Sequence, residues 1–290
     1  MLTQQLLNGL VLGVGYSLMA LGYSMIFGVL RVINFAHGSI YIFGGYVGLT
    51  IVRLMGGGFF LCILAGMISS ALIGLIMERL VFRPVRHMPP IAGLLTSTGA
   101  MFALNILAMI IRGPNPQSYS VNAPSYFWNL GDLSISYLQL VMLIAAVIVM
   151  VVLWLLVDKT SMGLAMRASS HSTITAQLMG IDVNKVTKFT LAVSSALAGL
   201  AGVLVASYYG VIAPTFGFNA SIKAFTSAII GGIGSIPGSL IGGIMLGLIE
   251  GLTSAYISSA YRDAISFTIL ILVLLAKPTG LLGKSSGHKM

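Results

Sequence analysis

Charge is what this sequence has least of. Asp, Glu, Lys and Arg make up only 7% of its 290 residues, and six of them are acidic. A soluble domain carries roughly a quarter charged residues, so a water-facing globular surface is excluded. A lone cysteine, Cys62, sits in an apolar run, which excludes a disulfide framework and leaves a packing role. The four histidines have no second ligand at helical spacing, so no metal site is expected. Nucleotide motifs fail as well. GLLGKSS at 280–286 has Pro278 where a phosphate-binding loop needs its first glycine, and GGIGSIPG misses the G-x-G-x-x-G spacing. No Ser/His/Asp or Cys/His constellation is present, so an intramembrane enzyme lacks its catalytic pair. Ionisable residues inside the apolar segments are chiefly His37 and Glu250, with Glu78 at the end of a span and paired most simply with Arg79 or Arg83. A proton-driven carrier normally needs more intramembrane acids, so the energy comes from outside the chain.

Apolar length is abundant. Hydrophobic residues make up 57%, the mean hydropathy is +1.01, and runs of 18 or more apolar residues recur. The fold class is therefore all-α, a polytopic membrane protein. Its 35 glycines suit closely packed membrane helices. Spans are expected at about Gln5–Gly28, 36–53, 58–78, 91–111, 136–157, 187–209, 240–256 and 264–276. Segment 221–236 is a ninth, short or broken crossing, roughly 24 Å long at 1.5 Å per residue. Residues 113–135, with three prolines and Trp128, read as an ordered interfacial loop. The whole of 1–290 forms one transmembrane domain. The formal charge of +9 is an orientation signal, because the basic residues lie in short loops. Arg31, the 79–90 loop, the 158–188 loop and the C-terminal tail hold 11 of the 15 Lys and Arg. With those faces cytoplasmic, the N-terminus lies outside and the C-terminus inside.

The 158–188 stretch is a structured interruption between two spans, where a soluble partner can push on a membrane protein. Ser172 can cap a short helix starting at Thr173, Gly180 falls where a left-handed residue ends it, and Asp182 can cap the next span. Ile174, Leu178 and Ile181 supply apolar side chains at helical spacing. Elsewhere, Asn34–Gly48 and Asn219–Gly234 each run from an asparagine through an apolar stretch to a glycine cluster, the outline of an internal repeat. Transporters bind substrate where such glycine-interrupted segments meet. Candidate substrate-path residues are accordingly Asn34, His37, Gly44, Gly45, Gly231, Gly232 and Glu250; Glu250 reads equally as a buried structural partner.

Three stretches carry a family resemblance: RVINFAHGSIYIFGGYVG from Arg31, MRASSHSTITAQLMGIDVNKVTKFTLAVSSALAGLAGVL from Met166, and AIIGGIGSIPGSLIGGIMLGLIE from Ala228. They resemble the permease subunits of branched-chain amino-acid ABC importers, the LivH/LivM permease family. The resemblance implies a bacterial inner-membrane permease that is not itself an enzyme. Its implied partners are a second, LivM-type permease, two ABC ATPase subunits that bind the ATP, and a periplasmic substrate-binding protein. No cofactor of its own and no nucleic acid are implied. Residues Ala176, Gly180 and Ile181, with Arg167 upstream, match the loop by which such permeases dock into the ATPase. Where the family often has an acid after Arg-Ala, this chain has Ser169, Ser170 and His171. Importers of urea or short amides have similar permeases and remain an alternative. A stand-alone channel or secondary carrier would show coupling residues in the spans and no structured cytoplasmic loop.

Overall fold

The computed structural model describes residues 2–56, 58–120, 124, 126–130 and 133–283. In chain order the helices are α1 (Leu2–Leu30), α2 (His37–Met55), α3 (Phe59–Met77), α4 (Arg83–Val85), α5 (Pro90–Arg112), α6 (Tyr137–Lys159), α7 (Ser161–His171), α8 (Thr173–Leu178), α9 (Val183–Tyr209), α10 (Phe216–Gly231), α11 (Ile236–Tyr256) and α12 (Arg262–Ala276). A π-helical turn at Glu78–Phe82 joins α3 to α4. Seven segments among the described residues are long and apolar enough to cross a membrane: α1, α3 through α4, α5, α6, α9, α11, and Ser259–Ala276 with α12. Helices α2 and α10, outside these seven, pack against α9 and α1 respectively and against each other.

Strand pairing holds the described parts of the interfacial loop. Strand β1 (Gln117–Ser118) pairs with β4 (Val211–Ile212), and β2 (Phe127–Leu130) pairs with β3 (Leu133–Ser136) as a hairpin. Residues 121–123, 125 and 131–132 of that loop lie outside the described residues. So do 284–290, which include most of the lysine-bearing tail, the end of GLLGKSS and the C-terminus.

Small residues at four-residue spacing bring the helices together. Gly66, Ser70 and Gly74 of α3 face Gly199, Ser195 and Leu191 of α9; Gly243, Gly247 and Gly251 of α11 face Ser17, Gly13 and Gly9 of α1. Without side-chain bulk the backbones approach closely, which is how membrane helices gain packing energy when lipid removes the hydrophobic driving force. These two contacts are equivalent halves of one design. Exchanging α1 with α9, α2 with α10 and α3 with α11 turns the α1–α11 packing into α9–α3, α1–α10 into α9–α2, and α10–α11 into α2–α3. The end of α1 and the start of α9 line one cleft, so the two halves run in opposite directions: Val29, Leu30, Val183 and Thr187 share its wall. The chain is an inverted repeat of helices.

The expected span at 36–53 starts deeper than a full crossing helix would. His37, the first residue of α2, sits against Gly22, an interior position of α1 that also packs against Ser194 of α9. Residues 31–36 therefore return into the bundle without helical structure. Such backbone is tolerated at membrane depth only when protein satisfies it, and Ser221 does so by accepting from the Gly38 N–H at 3.0 Å and donating to the Phe35 carbonyl at 2.8 Å. Segment 221–236 also differs from expectation. Its helix is shifted to Phe216–Gly231 and leads from β4 at one end of the bundle to Gly234 beside Gly28 at the other. The chain thus runs the length of the bundle there as an extended piece followed by a 16-residue helix.

Glu78 pairs with Arg86 at 2.7 Å, not with Arg79 or Arg83. The wider π turn brings Arg86, eight residues on, over the buried carboxylate, while Arg79 and Arg83 point outward.

Candidate functional site

The 158–188 stretch folds into two helices and a turn. Thr160 caps α7 by accepting from the Gly163 N–H at 3.0 Å. Ser172 ends α7 and caps α8, its hydroxyl accepting from the Thr175 N–H at 3.2 Å. Gly180 adopts φ +82° and Ile181 donates its N–H to the Ala176 carbonyl at 3.0 Å, closing α8 with a left-handed turn. Asp182 accepts from the Lys185 N–H at 3.1 Å and starts α9. Of the candidate docking residues, Ala176 is buried and anchors α8 to the bundle. Ile174 and Leu178 point outward, 71% and 81% exposed, and Met179 joins them at 79%. Ile181 lies outside this stripe, half-buried against the cluster formed by Met166 and Val186. Met179 was not singled out by the periodic reading because it follows α8 in the turn. Arg167 reaches back to Asp158 at 3.0 Å and to the Val157 carbonyl, fastening α7 to the end of α6.

This element is tied to the rest of the same face. The Arg31 guanidinium donates to the Ser170 carbonyl at 3.0 Å, and Arg86 donates to the Asn184 side chain. Arg31 itself has φ +56°, a conformation that non-glycine residues adopt at a cost. A cleft of about 490 Å³ separates α7 and α8 from the loop around Arg86–Pro90. The basic loops used to orient the chain thus converge on one end of the bundle.

The candidate path residues fall in three places. Asn34 and His37 are fully buried where α2 begins. Neither polar atom of the Asn34 side chain has a hydrogen-bond partner. His37 meets Tyr23 edge-on at 5.0 Å between ring centres. The glycines serve backbone packing: Gly44 lies against Gly199 and Ser70, Gly45 against Gly202 and Ile212, Gly231 against Gly238, and Gly232, at φ +106°, against Gly283. Ser221 of the second repeated segment bonds Phe35 and Gly38 of the first, and the closest backbone contact there is between Gly38 and Gly217, two residues before that second segment.

Glu250 is in the third place, and with it a residue that sequence reading missed. Lys223, inside the segment read as apolar, makes ion pairs with the fully buried Glu250 and with Asp263 at 2.6 Å. Tyr16 donates to Glu250 at 2.8 Å and Ser266 donates to it at 2.5 Å. Three partners around one carboxylate, Lys223, Tyr16 and Ser266, hold α1, α10, α11 and α12 together. A lysine in a short glycine-flanked membrane segment was the available signal. Lys223 and Tyr16 also line a second cavity, of about 280 Å³, between α1, α9 and α10. None of the seven candidate path residues lines it.

Comparison with known proteins agrees with this architecture. The family of branched-chain amino acid transport system permease components matches residues 5–274. LivH of Salmonella typhimurium, a high-affinity branched-chain amino acid transport system permease protein, is 40% identical and covers 99% of this chain and 97% of its own. LivH of Escherichia coli K12 matches equally, and BraD of Pseudomonas aeruginosa, of the same description, is 36% identical over 99% of this chain and 97% of its own. Among solved structures, PsaBC from Streptococcus pneumoniae in complex with Fab has the same fold, with a TM-score of 0.52 and 13% identity over 94% of this chain and 91% of that one. The matched residues run from the start of α1 into α12 and so contain both halves of the inverted repeat; the chain belongs to the family of branched-chain amino acid transport permeases.

Proposed function

We propose that this chain is one permease subunit of an ATP-driven importer of branched-chain amino acids in the bacterial inner membrane. It works with a LivM-type permease, two ABC ATPase subunits and a periplasmic binding protein, and ATP stays on the ATPases. The observation that carries this reading is the capped element at 172–181. A helix of six residues gains little stability alone, yet here it is capped at both ends and presents Ile174, Leu178 and Met179 to solvent. Exposed apolar side chains on a rigid knob suit a groove in a soluble partner. The Asp182 cap and the Arg31–Ser170 bond tie the knob to α9 and α1, so displacement of α8 passes to the two central helices of the repeat. The same end carries the basic loops and is cytoplasmic, which puts the N-terminus in the periplasm and the C-terminus in the cytoplasm. The names of the relatives favour amino acids over urea or amides.

Purifying the chain with the products of its genomic neighbours and measuring leucine uptake into vesicles tests the reading. Uptake should require ATP and the ATPase subunits. Uptake by the chain alone, unaffected by ATP, would overturn it.

A further inference from the structure

We infer that the cavity between α1, α9 and α10 is a binding site for the zwitterion of the transported amino acid, with Arg262 and Lys223 taking the carboxylate. This rests on the proposed import function and adds to it the place where the substrate is held within the chain.

The cavity has the two characters such a ligand needs. One side is apolar, built by Leu12 and Met19 of α1, Met142 of α6 and Val205 of α9. The other end carries Lys223 and Arg262. Its volume of about 280 Å³ is at the small end of ligand cavities, which run from roughly 300 Å³ upward, and so suits a single small molecule. Flexible methionines on an apolar wall adapt to aliphatic side chains that differ by a methyl group.

The charges at the polar end balance. Lys223 and Arg262 stand against Glu250 and Asp263, two cations and two carboxylates, so the cluster is formally neutral. A neutral cluster with separated signs matches a zwitterion, which brings no net charge but a large dipole. Donor capacity remains on the cationic side. Lysine has three N–H donors, and Glu250 and Asp263 use two. Arg262 places one Nη2 donor on Ser254 at 3.2 Å, while its Nε is buried without a hydrogen-bond partner. A buried, unused guanidinium donor is costly unless something accepts from it, and a ligand carboxylate does so. For the ammonium group the same wall offers Asn219, whose side-chain carbonyl is an acceptor.

Position supports the same assignment. The cavity lies beside the meeting point of α2 and α10, with Tyr41 of α2 and Phe216 and Asn219 of α10 in its wall. Inverted repeats hold substrate where their discontinuous helices meet.

The test uses the complete complex in vesicles, with leucine carrying a photoreactive diazirine in its side chain as the probe. Irradiation during turnover should label peptides containing Leu12, Met19, Met142 or Val205. Arg262→Gln should cut leucine uptake about tenfold, the scale of one lost charge-assisted bond, in a complex that still assembles. Val205→Phe fills the apolar side without touching the charges, and should cut leucine uptake about tenfold and valine uptake less. Labelling confined to other segments, or unchanged uptake in both variants, overturns the site. Failure of the import reading appears separately, as a wild-type complex that moves no branched-chain amino acid.

Discussion

A β-carbon placed on Gly38 would lie 1.9 Å from the carbonyl oxygen of Gly217, and one placed on Gly217 would lie 2.6 Å from that of Gly38. Each glycine belongs to the first turn of a short helix, and the two helices are counterparts in the inverted repeat. Their contact is where the two halves of the chain touch through their own symmetry-related segments. Ser221 reinforces it, joining Gly38, Phe35 and Tyr23 within 3.0 Å.

The first prediction follows from that contact. Gly38→Ala forces the backbones apart and should destabilise the protein by about 1–3 kcal/mol, the usual cost of overpacking. Gly99→Ala in α5 meets nothing within 4 Å and should be neutral or slightly stabilising, since alanine is the better helix former. Thermal unfolding in detergent compares the two; equal midpoints would remove the contact from the stability argument.

The docking element gives the second. Gly180 has open space around it, so Gly180→Val acts only through its left-handed backbone, at a cost of roughly 1 kcal/mol or more. It should uncouple ATP hydrolysis from uptake, and Leu178→Asp should weaken ATPase binding without disturbing the fold. Normal coupling in both variants would contradict docking through 172–181.

Lys223 and Glu250 supply the third. Either Lys223→Met or Glu250→Gln alone disrupts a buried ion pair, and removing one partner of such a pair costs about 3–5 kcal/mol. Asp263 remains beside Lys223, so Glu250→Gln should be the milder of the two. The double variant should recover part of the loss, measured as membrane yield and unfolding midpoint. A double variant as unstable as the sum of the singles would mean that the two residues do not interact energetically.

Asn34 and His37 give the fourth. Asn34 buries two unpartnered polar atoms, so Asn34→Leu should raise the unfolding midpoint. If Asn34 and His37 serve the path, Asn34→Leu and His37→Ala should both lower uptake while the complex assembles and the ATPase turns over. Uptake unchanged across the substrate range would take both residues off the path.

The fifth concerns orientation. A reporter active only in the cytoplasm, fused after Met290, should give signal. Silence from an expressed fusion would reverse the topology from α9 onward.

Local signals were legible without coordinates. Apolar run length marked the spans, and Ser172, Gly180 and Asp182 marked the boundaries of α8 and α9, because capping depends on a few adjacent residues. The three family stretches carried the permease identity, again as contiguous sequence. Membership of the branched-chain amino acid permease family was therefore determined by the sequence itself.

Only the tertiary structure decided how deep α2 begins, which carboxylate meets which cation, and how the repeat is registered. The asparagines at 34 and 219 suggested one alignment, but Gly38 and Gly217 are the residues in contact. Glu78 chose Arg86 over its nearer neighbours because a π turn re-aimed the helix, and Lys223 found Glu250 across 27 positions because α10 and α11 pack side by side. Such pairings depend on how closely two backbones approach, and that distance is set by many small residues acting together on different helices.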